Sequence, residues 1–324
     1  MASFNHIKNV AIVGAGGNSG KYMTEELLKT GKHNVTALSR ADSNATLPKG
    51  VIKKIIDYDN PSSLVEALQG QDALIITVGI MAPPDTTTKL IQAAADANVP
   101  WVLPNEWSPD TANEALVKDV RPFQKGPHER ELIKKLGKSS YVSVVTGFWY
   151  EWSLAIKAAY GFDFENRAVT FFDEGETKIS MTTWPQVGRA VAGLLSLPIQ
   201  PGGDDKEKCL GHFRNQIAYV SSFTVSQKDI LDSVLRVTNT TLDEWQISKE
   251  PSEERYTGGV EAMQKGDRMG FLKMMYTRVF YPDGCGDYEK SRGTANAVLG
   301  LPREDLDEAT RAAIKRSKEV TWGH

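Results

Sequence analysis

Three glycines near the N-terminus follow an apolar run in the order that a phosphate-binding turn requires. The run Val10–Val13 stops at Gly14, and Gly17 and Gly20 follow before a helical pattern that ends at Gly31. Gly14 permits a tight turn, Gly17 lets backbone amides approach a pyrophosphate, and Gly20 lets helix and strand pack closely. The helix N-terminus adds unpaired N–H groups and a partial positive charge. This order of strand, turn and helix predicts a dinucleotide site, and a ligand-free glycine turn is the weaker interpretation.

The end of the next predicted strand bears on which dinucleotide binds. The strand Asn34–Leu38 is followed by Ser39 and Arg40, with no acidic residue at its end. An acidic side chain here would accept hydrogen bonds from the ribose of NAD, whereas an arginine suits the 2′-phosphate of NADP. A guanidinium is always charged and binds a phosphate through two parallel bonds, and Ser39 could add a hydroxyl donor. We therefore predict NADP(H), with a solvated loop charge at Arg40 as the alternative.

The first half of the chain alternates apolar runs with helical patterns. The predicted strands are Val10–Val13, Asn34–Leu38, Val51–Ile56, Ala73–Val78, Pro100–Pro104 and Tyr141–Thr146. The predicted helices between them are Lys21–Gly31, Pro61–Leu68, Thr86–Ala97 and Phe123–Leu136. Such alternation implies right-handed crossovers and a parallel sheet. We predict an α/β fold, a Rossmann-type doubly wound parallel sheet with a smaller α+β C-terminal substrate domain.

We predict two domains. Residues 1–150 form the NADP(H)-binding domain, and residues 151–324 mainly form a smaller substrate-binding domain, with part of the chain returning to the sheet. The second half predicts a β excursion over 163–180 and helices near 184–197, 225–238, 243–249 and 305–318, with a loop over 199–208. The Met- and aromatic-rich stretch 269–281 either lines an apolar pocket or, more commonly, fills a core.

Composition excludes several classes of protein. The 324 residues are 40% hydrophobic and 24% charged, with a formal net charge of −3, which argues against nucleic acid as the main partner. The two cysteines, Cys209 and Cys285, have no metal-binding or redox spacing, so a reduced, cytoplasmic setting is expected. The N-terminus lacks the apolar core of a signal peptide, and Val10–Val13 is too short to span a membrane. We expect no metal and no membrane partner, and a monomer or homodimer.

Several motifs together resemble one family. They are the Gly14-x-x-Gly17-x-x-Gly20 turn, Arg40, the run from Asp57 to Asp72, and Leu103-Pro-Asn-Glu-Trp107. The chain resembles the atypical short-chain dehydrogenases, and most closely their NmrA-like and isoflavone-reductase-like members. Where that family usually carries Pro-Ser-Glu-Phe-Gly, this sequence reads Pro-Asn-Glu-Trp-Ser over 104–108. The resemblance places this segment near the nicotinamide, so the departures bear on substrate identity more than on fold.

The resemblance also implies a functional lysine at the start of the sixth helix, where this sequence has Lys125. Such a lysine can bind the nicotinamide ribose, and it can donate a proton to a substrate carbonyl or polarise it. A surface lysine is the alternative. His128 lies three residues later, on the same helical face, where an exposed histidine is commoner than an acid.

In relatives an aromatic residue after the sixth strand covers the nicotinamide, and Phe148 is our choice. Trp149 and Trp152 are predicted as walls for a planar substrate, with core packing as the alternative for these aromatics. With Lys125 as the predicted catalytic residue, the predicted cofactor-binding set is Gly14, Gly17, Asn18, Ser19, Gly20, Ser39, Arg40, Asp57, Tyr58, Val78, Gly79, Asn105, Lys125, Gly147 and Phe148. The predicted substrate-binding set is Glu106, Trp107, His128, Trp149 and Trp152.

The sequence lacks the Tyr-x-x-x-Lys pair of classical short-chain dehydrogenases. The nearest spacing, Tyr288 to Arg292, ends in arginine and comes late in the chain, so the classical mechanism is not expected. The resemblance implies an NADPH-dependent reductase that transfers hydride to a carbonyl or conjugated C=C of a small apolar or aromatic substrate. The alternative is a non-catalytic NADP(H)-sensing regulator of the NmrA type.

Overall fold

Thirteen strands and thirteen helices make up the described part of the chain, residues 5–79, 81–203 and 206–319 of a computed structural model. The strands are β1 Asn9–Val13, β2 Asn34–Arg40, β3 Ile52–Ile56, β4 Ala73–Ile76, β5 Trp101–Leu103, β6 Ser140–Val145, β7 Phe148–Trp149, β8 Phe162–Asp163, β9 Ala168–Phe172, β10 Ile179–Thr182, β11 Gln216–Tyr219, β12 Phe223–Val225 and β13 Gln246–Glu250.

The helices follow the same chain order. They are α1 Gly20–Lys29, α2 Pro61–Leu68, α3 Thr86–Asp96, α4 Glu114–Asp119, α5 Lys125–Leu136, α6 Tyr150–Ser153, α7 Lys157–Tyr160, α8 Trp184–Ser196, α9 Gln227–Thr238, α10 Ser252–Gln264, α11 Arg268–Arg278, α12 Tyr288–Arg292 and α13 Leu306–Glu319. Short 3-10 turns occupy 121–124, 210–213 and 242–244.

A seven-stranded sheet with strand order β11-β6-β5-β4-β1-β2-β3 forms the centre of the fold, and all its pairings are parallel. The six predicted strands of the first half are all present. Because the strands are parallel, their carboxyl ends meet at one edge of the sheet, where a Rossmann-type fold binds its ligand. The Rossmann-type doubly wound prediction is confirmed.

Both faces of this sheet are covered, as its apolar strands require. Along β1, Val10 and Ile12 pack with α1 and α8 in one core cluster, whereas Ala11 and Val13 pack with α2, α3 and α5 in another. This alternation follows from the opposite directions of successive side chains in a strand. All four residues of β4 are buried, as a strand covered on both faces should be.

The second half builds two three-stranded sheets, β12-β10-β7 and β13-β9-β8, around its own core cluster. One strand, β11, returns to the central sheet and pairs with β6. The division into two domains at residue 150 stays a prediction, and the ends of those domains, residues 1–4 and 320–324, lie outside the described residues, as do 204 and 205 of the predicted loop.

One predicted element is wrong. Residues 243–249 were expected to form a helix, but Gln246–Glu250 is strand β13, in register from Gln246 opposite Ala168 to Glu250 opposite Phe172. Pairing with β9 supplies long-range hydrogen bonds that local helix propensity does not reveal. The stretch 269–281 falls largely in α11, where Met274 and Tyr276 are buried in the core cluster, which favours the core interpretation.

Candidate functional site

The glycine turn after β1 is built as the sequence predicts, and close backbone contacts hold it. Gly14 has φ +84°, and a Cβ there would lie 2.0 Å from the carbonyl oxygen of Thr77. A Cβ at Gly20 would lie 2.1 Å from the carbonyl oxygen of Gly14. The backbone N–H of Gly17 donates to that same oxygen at 2.9 Å, while Gly17 itself is exposed. The turn is therefore tight on the inside and open on the outside, which fits a bound pyrophosphate.

Two residues lead from this turn into α1. Asn18 is exposed, whereas Ser19 is buried and its hydroxyl lies 3.2 Å from that of Thr77, the residue after β4. Helix α1 starts directly afterwards, so its N-terminus, with the partial positive charge of the helix dipole, lies at the carboxyl edge of the sheet. Thr77, which sequence reasoning missed, thus joins the ends of β1 and β4.

Arg40 occupies the end of β2 with its side chain in solvent. Its guanidinium lies 3.5 Å from the carboxylate of Asp42, and both side chains are more than half exposed. Ser39 is half-buried. At the end of the neighbouring strand, Asp57 is exposed and Tyr58 is half-buried. Burial raises the pKa of Tyr58 and the charge of Arg40 opposes this rise, so the two residues are neighbours. Arg40 is accessible to a ligand phosphate.

Asn105 ties the ends of β4 and β5 together. Its side-chain Nδ2 donates to the carbonyl oxygen of Val78 at 3.1 Å, and its Oδ1 accepts from the backbone N–H of Val78 at 3.2 Å. Gly79 next to it is exposed and has open space where a Cβ would be. The amide of Asn105 is therefore engaged with backbone, so it shapes this part of the edge.

The next two predicted residues, Glu106 and Trp107, are in the interior. Glu106 is 2% exposed, and one of its oxygens accepts hydrogen bonds from Arg130 and Thr111. Burial raises the pKa of Glu106, and the charge of Arg130 opposes this. The indole N–H of Trp107 donates to the carbonyl oxygen of Ile76 at 2.8 Å. The structure places neither side chain on an exposed wall, and a substrate contact by either stays a prediction.

Lys125 is the first residue of α5 and is half-buried. Within the described residues it makes no hydrogen bond or ion pair, so its ammonium group is available to a ligand. One turn later, Glu129 is almost fully buried, and burial raises its pKa while the charge of Lys125 opposes this. His128 is exposed, which agrees with the commoner interpretation of that residue.

The residues that follow β6 pack against different core clusters, Phe148 in that of the second half and Trp149 against that of the central sheet. Gly147 has φ +63°, and a Cβ there would lie 2.2 Å from the carbonyl oxygen of Ser180. The ring centroid of Phe148 lies 4.1 Å from that of Tyr276 on α11 and 6.3 Å from that of Phe123. The cover of a nicotinamide by Phe148 stays a prediction, with Tyr276 as the residue that supports the ring.

The two predicted tryptophan walls belong to a separate aromatic cluster. The ring centroids of Trp149 and Trp152 lie 5.9 and 5.8 Å from that of Trp184, and the guanidinium of Arg316 lies 4.5 Å above the Trp152 ring. Because side chains of adjacent strand residues point to opposite faces, Phe148 and Trp149 in β7 do not share a wall. This arrangement supports the core-packing alternative for both tryptophans.

Neither a metal site nor a membrane span is found in the part of the chain that the structure describes. No group of three or more His, Cys, Asp or Glu residues there could hold a metal ion. No helix there is long and apolar enough to cross a membrane.

Comparison with known proteins agrees with this geometry. A family model described as NAD(P)H-binding matches residues 14–104, from the glycine turn to the end of β5. The oxidoreductase aprR of Aspergillus flavus is 30% identical over 312 residues, which cover 94% of this chain and 98% of that protein. The chain belongs to the NmrA-like and isoflavone-reductase-like family.

Solved structures show the same family fold. A crystal structure of isoflavone reductase matches with a TM-score of 0.72 at 18% identity and covers 95% of this chain and 99% of its own. The NADPH-dependent quinone oxidoreductase of Escherichia coli, solved with NADPH, matches with a TM-score of 0.69 at 18% identity, covering 94% and 99%. This family member is thus an enzyme, an oxidoreductase with an NAD(P)H-binding fold, as the sequence predicts.

Proposed function

We propose that this oxidoreductase is an NADPH-dependent reductase acting on a carbonyl or conjugated C=C of a small apolar or aromatic molecule. The observation that carries the proposal is the ammonium group of Lys125, which has no hydrogen bond or ion pair within the described residues and stands at the start of α5, the helix that contacts the end of β5. NADPH supplies a hydride when it is bound. Lys125 then donates a proton or a hydrogen bond to the substrate oxygen that gains negative charge.

The residues around Lys125 have separate roles in this proposal. The Gly14–Gly20 turn and the N-terminus of α1 bind the pyrophosphate, and the exposed Arg40 binds the 2′-phosphate. Phe148 covers the nicotinamide, supported by Tyr276. Two structural neighbours are named for an isoflavone and a quinone, both planar conjugated molecules, which supports an aromatic or enone-like substrate here.

The first experiment tests the proposed reaction and its substrate class. The protein is mixed anaerobically with NADPH and a panel of quinones, enones and phenolic ketones, and the loss of NADPH absorbance is followed. Oxidation of NADPH with at least one member is expected. Tight binding of NADPH without its oxidation by any member of the panel would contradict the proposed substrate class.

The second experiment tests Lys125. The Lys125→Met variant removes a group whose benefit is greater in the transition state than in the ground state, so kcat should fall by about 10²-fold or more. The affinity for NADPH should fall less, because the phosphates are bound elsewhere. Lys135→Met, an exposed lysine on the same helix, is the matched control and should leave both quantities unchanged. A loss confined to NADPH affinity would reduce Lys125 to a ribose contact.

A further inference from the structure

Two buried carboxylates join helix α5 to the end of β5 in opposite directions. Glu106, on the strand side, accepts a hydrogen bond from Arg130 on the helix. Glu129, on the helix side, accepts a hydrogen bond from the backbone N–H of Asn105 on the strand side, at 3.1 Å. Both carboxylates are at most 2% exposed. Hydrogen bonds to charged groups are strong, so this reciprocal pair resists sliding of the helix along the strand end.

Gly126 makes the contact between helix and carboxylate unusually close. It is buried in the first turn of α5, directly after Lys125. A Cβ at Gly126 would lie 2.3 Å from Oε1 of Glu106, 2.6 Å from its Cδ and 2.9 Å from its Cγ. Such distances are well inside van der Waals contact, so even one methyl group requires either the helix or the carboxylate to move.

The carboxylate is poorly placed to move. Its Oε1 is held from two sides, by Arg130 on α5 and by the hydroxyl of Thr111 in the loop after β5. Arg130 also donates to the Thr111 hydroxyl at 2.9 Å, which closes a ring of three hydrogen-bonded side chains. A methyl group at Gly126 would therefore displace the first turn of the helix, and Lys125 with it.

We propose that Gly126 and Glu106 are positioning residues that fix Lys125 at the edge of the sheet. The absence of a side chain at Gly126 lets the first turn of α5 rest directly on the Glu106 carboxylate. The effect on turnover rests on the proposed function of Lys125, whereas the effect on the place of Lys125 does not. Misplacement of a reacting group by about 1 Å can cost about 10²-fold in rate.

The test is the Gly126→Ala variant. We expect kcat to fall by at least about tenfold, with the KM for NADPH within about threefold of its original value, because the phosphate contacts are elsewhere. A second readout needs neither substrate nor cofactor. Lys125 is half-buried, and its displacement should raise its rate of acylation by acetic anhydride by at least about threefold, as measured by mass spectrometry.

The rescue variant combines Gly126→Ala with Glu106→Asp. Aspartate keeps a negative charge beside Arg130 and removes the two atoms closest to the new methyl group, Oε1 at 2.3 Å and Cδ at 2.6 Å, but its carboxyl carbon takes the place of Cγ at 2.9 Å, so the clash is relieved in part. We expect both kcat and the acylation rate to move back towards their original values relative to Gly126→Ala alone, the non-additivity expected of residues in contact. Glu131→Ala, at an exposed position of the same helix, is the control and should change neither. Absence of rescue would overturn the proposal.

The outcomes separate this inference from the proposed function. Original kcat and acylation rate in Gly126→Ala refute the positioning role. If no substrate is found, the proposed function fails, but the acylation test still decides the place of Lys125. If Gly126→Ala does not fold by circular dichroism, Arg130→Lys takes its place, because it loosens the Glu106 carboxylate without adding volume at Gly126. An acylation rate unchanged in that variant would also refute the inference.

Discussion

Replacement of Arg130 by methionine should destabilise the protein in a strongly pH-dependent way. Arg130 is 9% exposed and its partner Glu106 is 2% exposed, so the substitution leaves a buried carboxylate without its cation. Breaking a buried ion pair on one side typically costs about 3–5 kcal/mol of unfolding free energy. The Thr111 hydroxyl remains as a donor to the carboxylate but carries no charge to compensate it.

The sign of the pH dependence follows from the pKa of Glu106. Burial raises this pKa, and the charge of Arg130 opposes the rise, so removing Arg130 raises it further. The folded variant then keeps a proton that the unfolded chain loses above about pH 4.3. Its free energy of unfolding therefore falls by about 1.4 kcal/mol per pH unit until the pH exceeds the pKa in the folded variant. The original protein stops losing stability at a lower pH, because the pKa of its Glu106 is lower than in the variant. The stability deficit of the variant, which is the difference between the two free energies of unfolding, therefore grows with pH.

The assay is urea unfolding followed by tryptophan fluorescence at about pH 5.5 and about pH 8. The deficit of Arg130→Met relative to the original protein should be clearly smaller at the lower pH. The double variant Glu106→Gln/Arg130→Met removes the carboxylate that titrates beside the lost cation, so its deficit should vary much less with pH, although the neighbouring Glu129 remains ionisable. A deficit equal at both pH values in Arg130→Met would refute the reasoning, because the lost free energy would then be packing alone.

Two further predictions concern the cofactor and a second buried acid. The Arg40→Ala variant should bind NADPH more weakly by at least about 1.5 kcal/mol and bind NADH unchanged, as measured by titration. The control is Arg303→Ala, at an exposed position. An equal shift for both cofactors would contradict the assignment of Arg40 to the 2′-phosphate. Burial raises the pKa of Glu151 to about 7, so the folded protein loses stability as pH rises between the unfolded value and about 7. The Glu151→Gln variant keeps the hydrogen bond from the backbone N–H of Trp184. Its free energy of unfolding should exceed that of the original protein by up to about 3 kcal/mol at about pH 8 and equal it below about pH 4. The control Glu165→Gln, at an exposed position, should leave the stability unchanged.

Local patterns predicted the parts of this protein that local forces determine. The glycine turn at Gly14 and the six strands of the first half could be read because glycine conformation and apolar periodicity act over a few residues. The segment 243–249 could not, because strand β13 forms only against β9, more than 70 residues earlier in the chain.

The candidate site was predictable to a similar extent. The position of Lys125 at a helix start followed from the motif, and the lack of a partner for it among the described residues agrees with a ligand contact. The contact of Gly126 with Glu106 spans 20 residues and depends on the packing of α5 on β5, so no local signal marks it. A glycine in the first turn of a helix was the one visible hint, since glycine there lowers helix propensity without an obvious local benefit.

The return of β11 to the central sheet determines when this chain can finish folding. Every residue of β6 is buried, yet its outer neighbour comes from Gln216–Tyr219, about 70 residues further along. During synthesis the first half therefore emerges with an apolar strand whose backbone groups have no partner on one side, which is a template for aggregation. A fragment that ends near residue 150 inherits the same open edge permanently. We expect such a fragment to bind chaperones or precipitate, even though it contains the whole glycine turn.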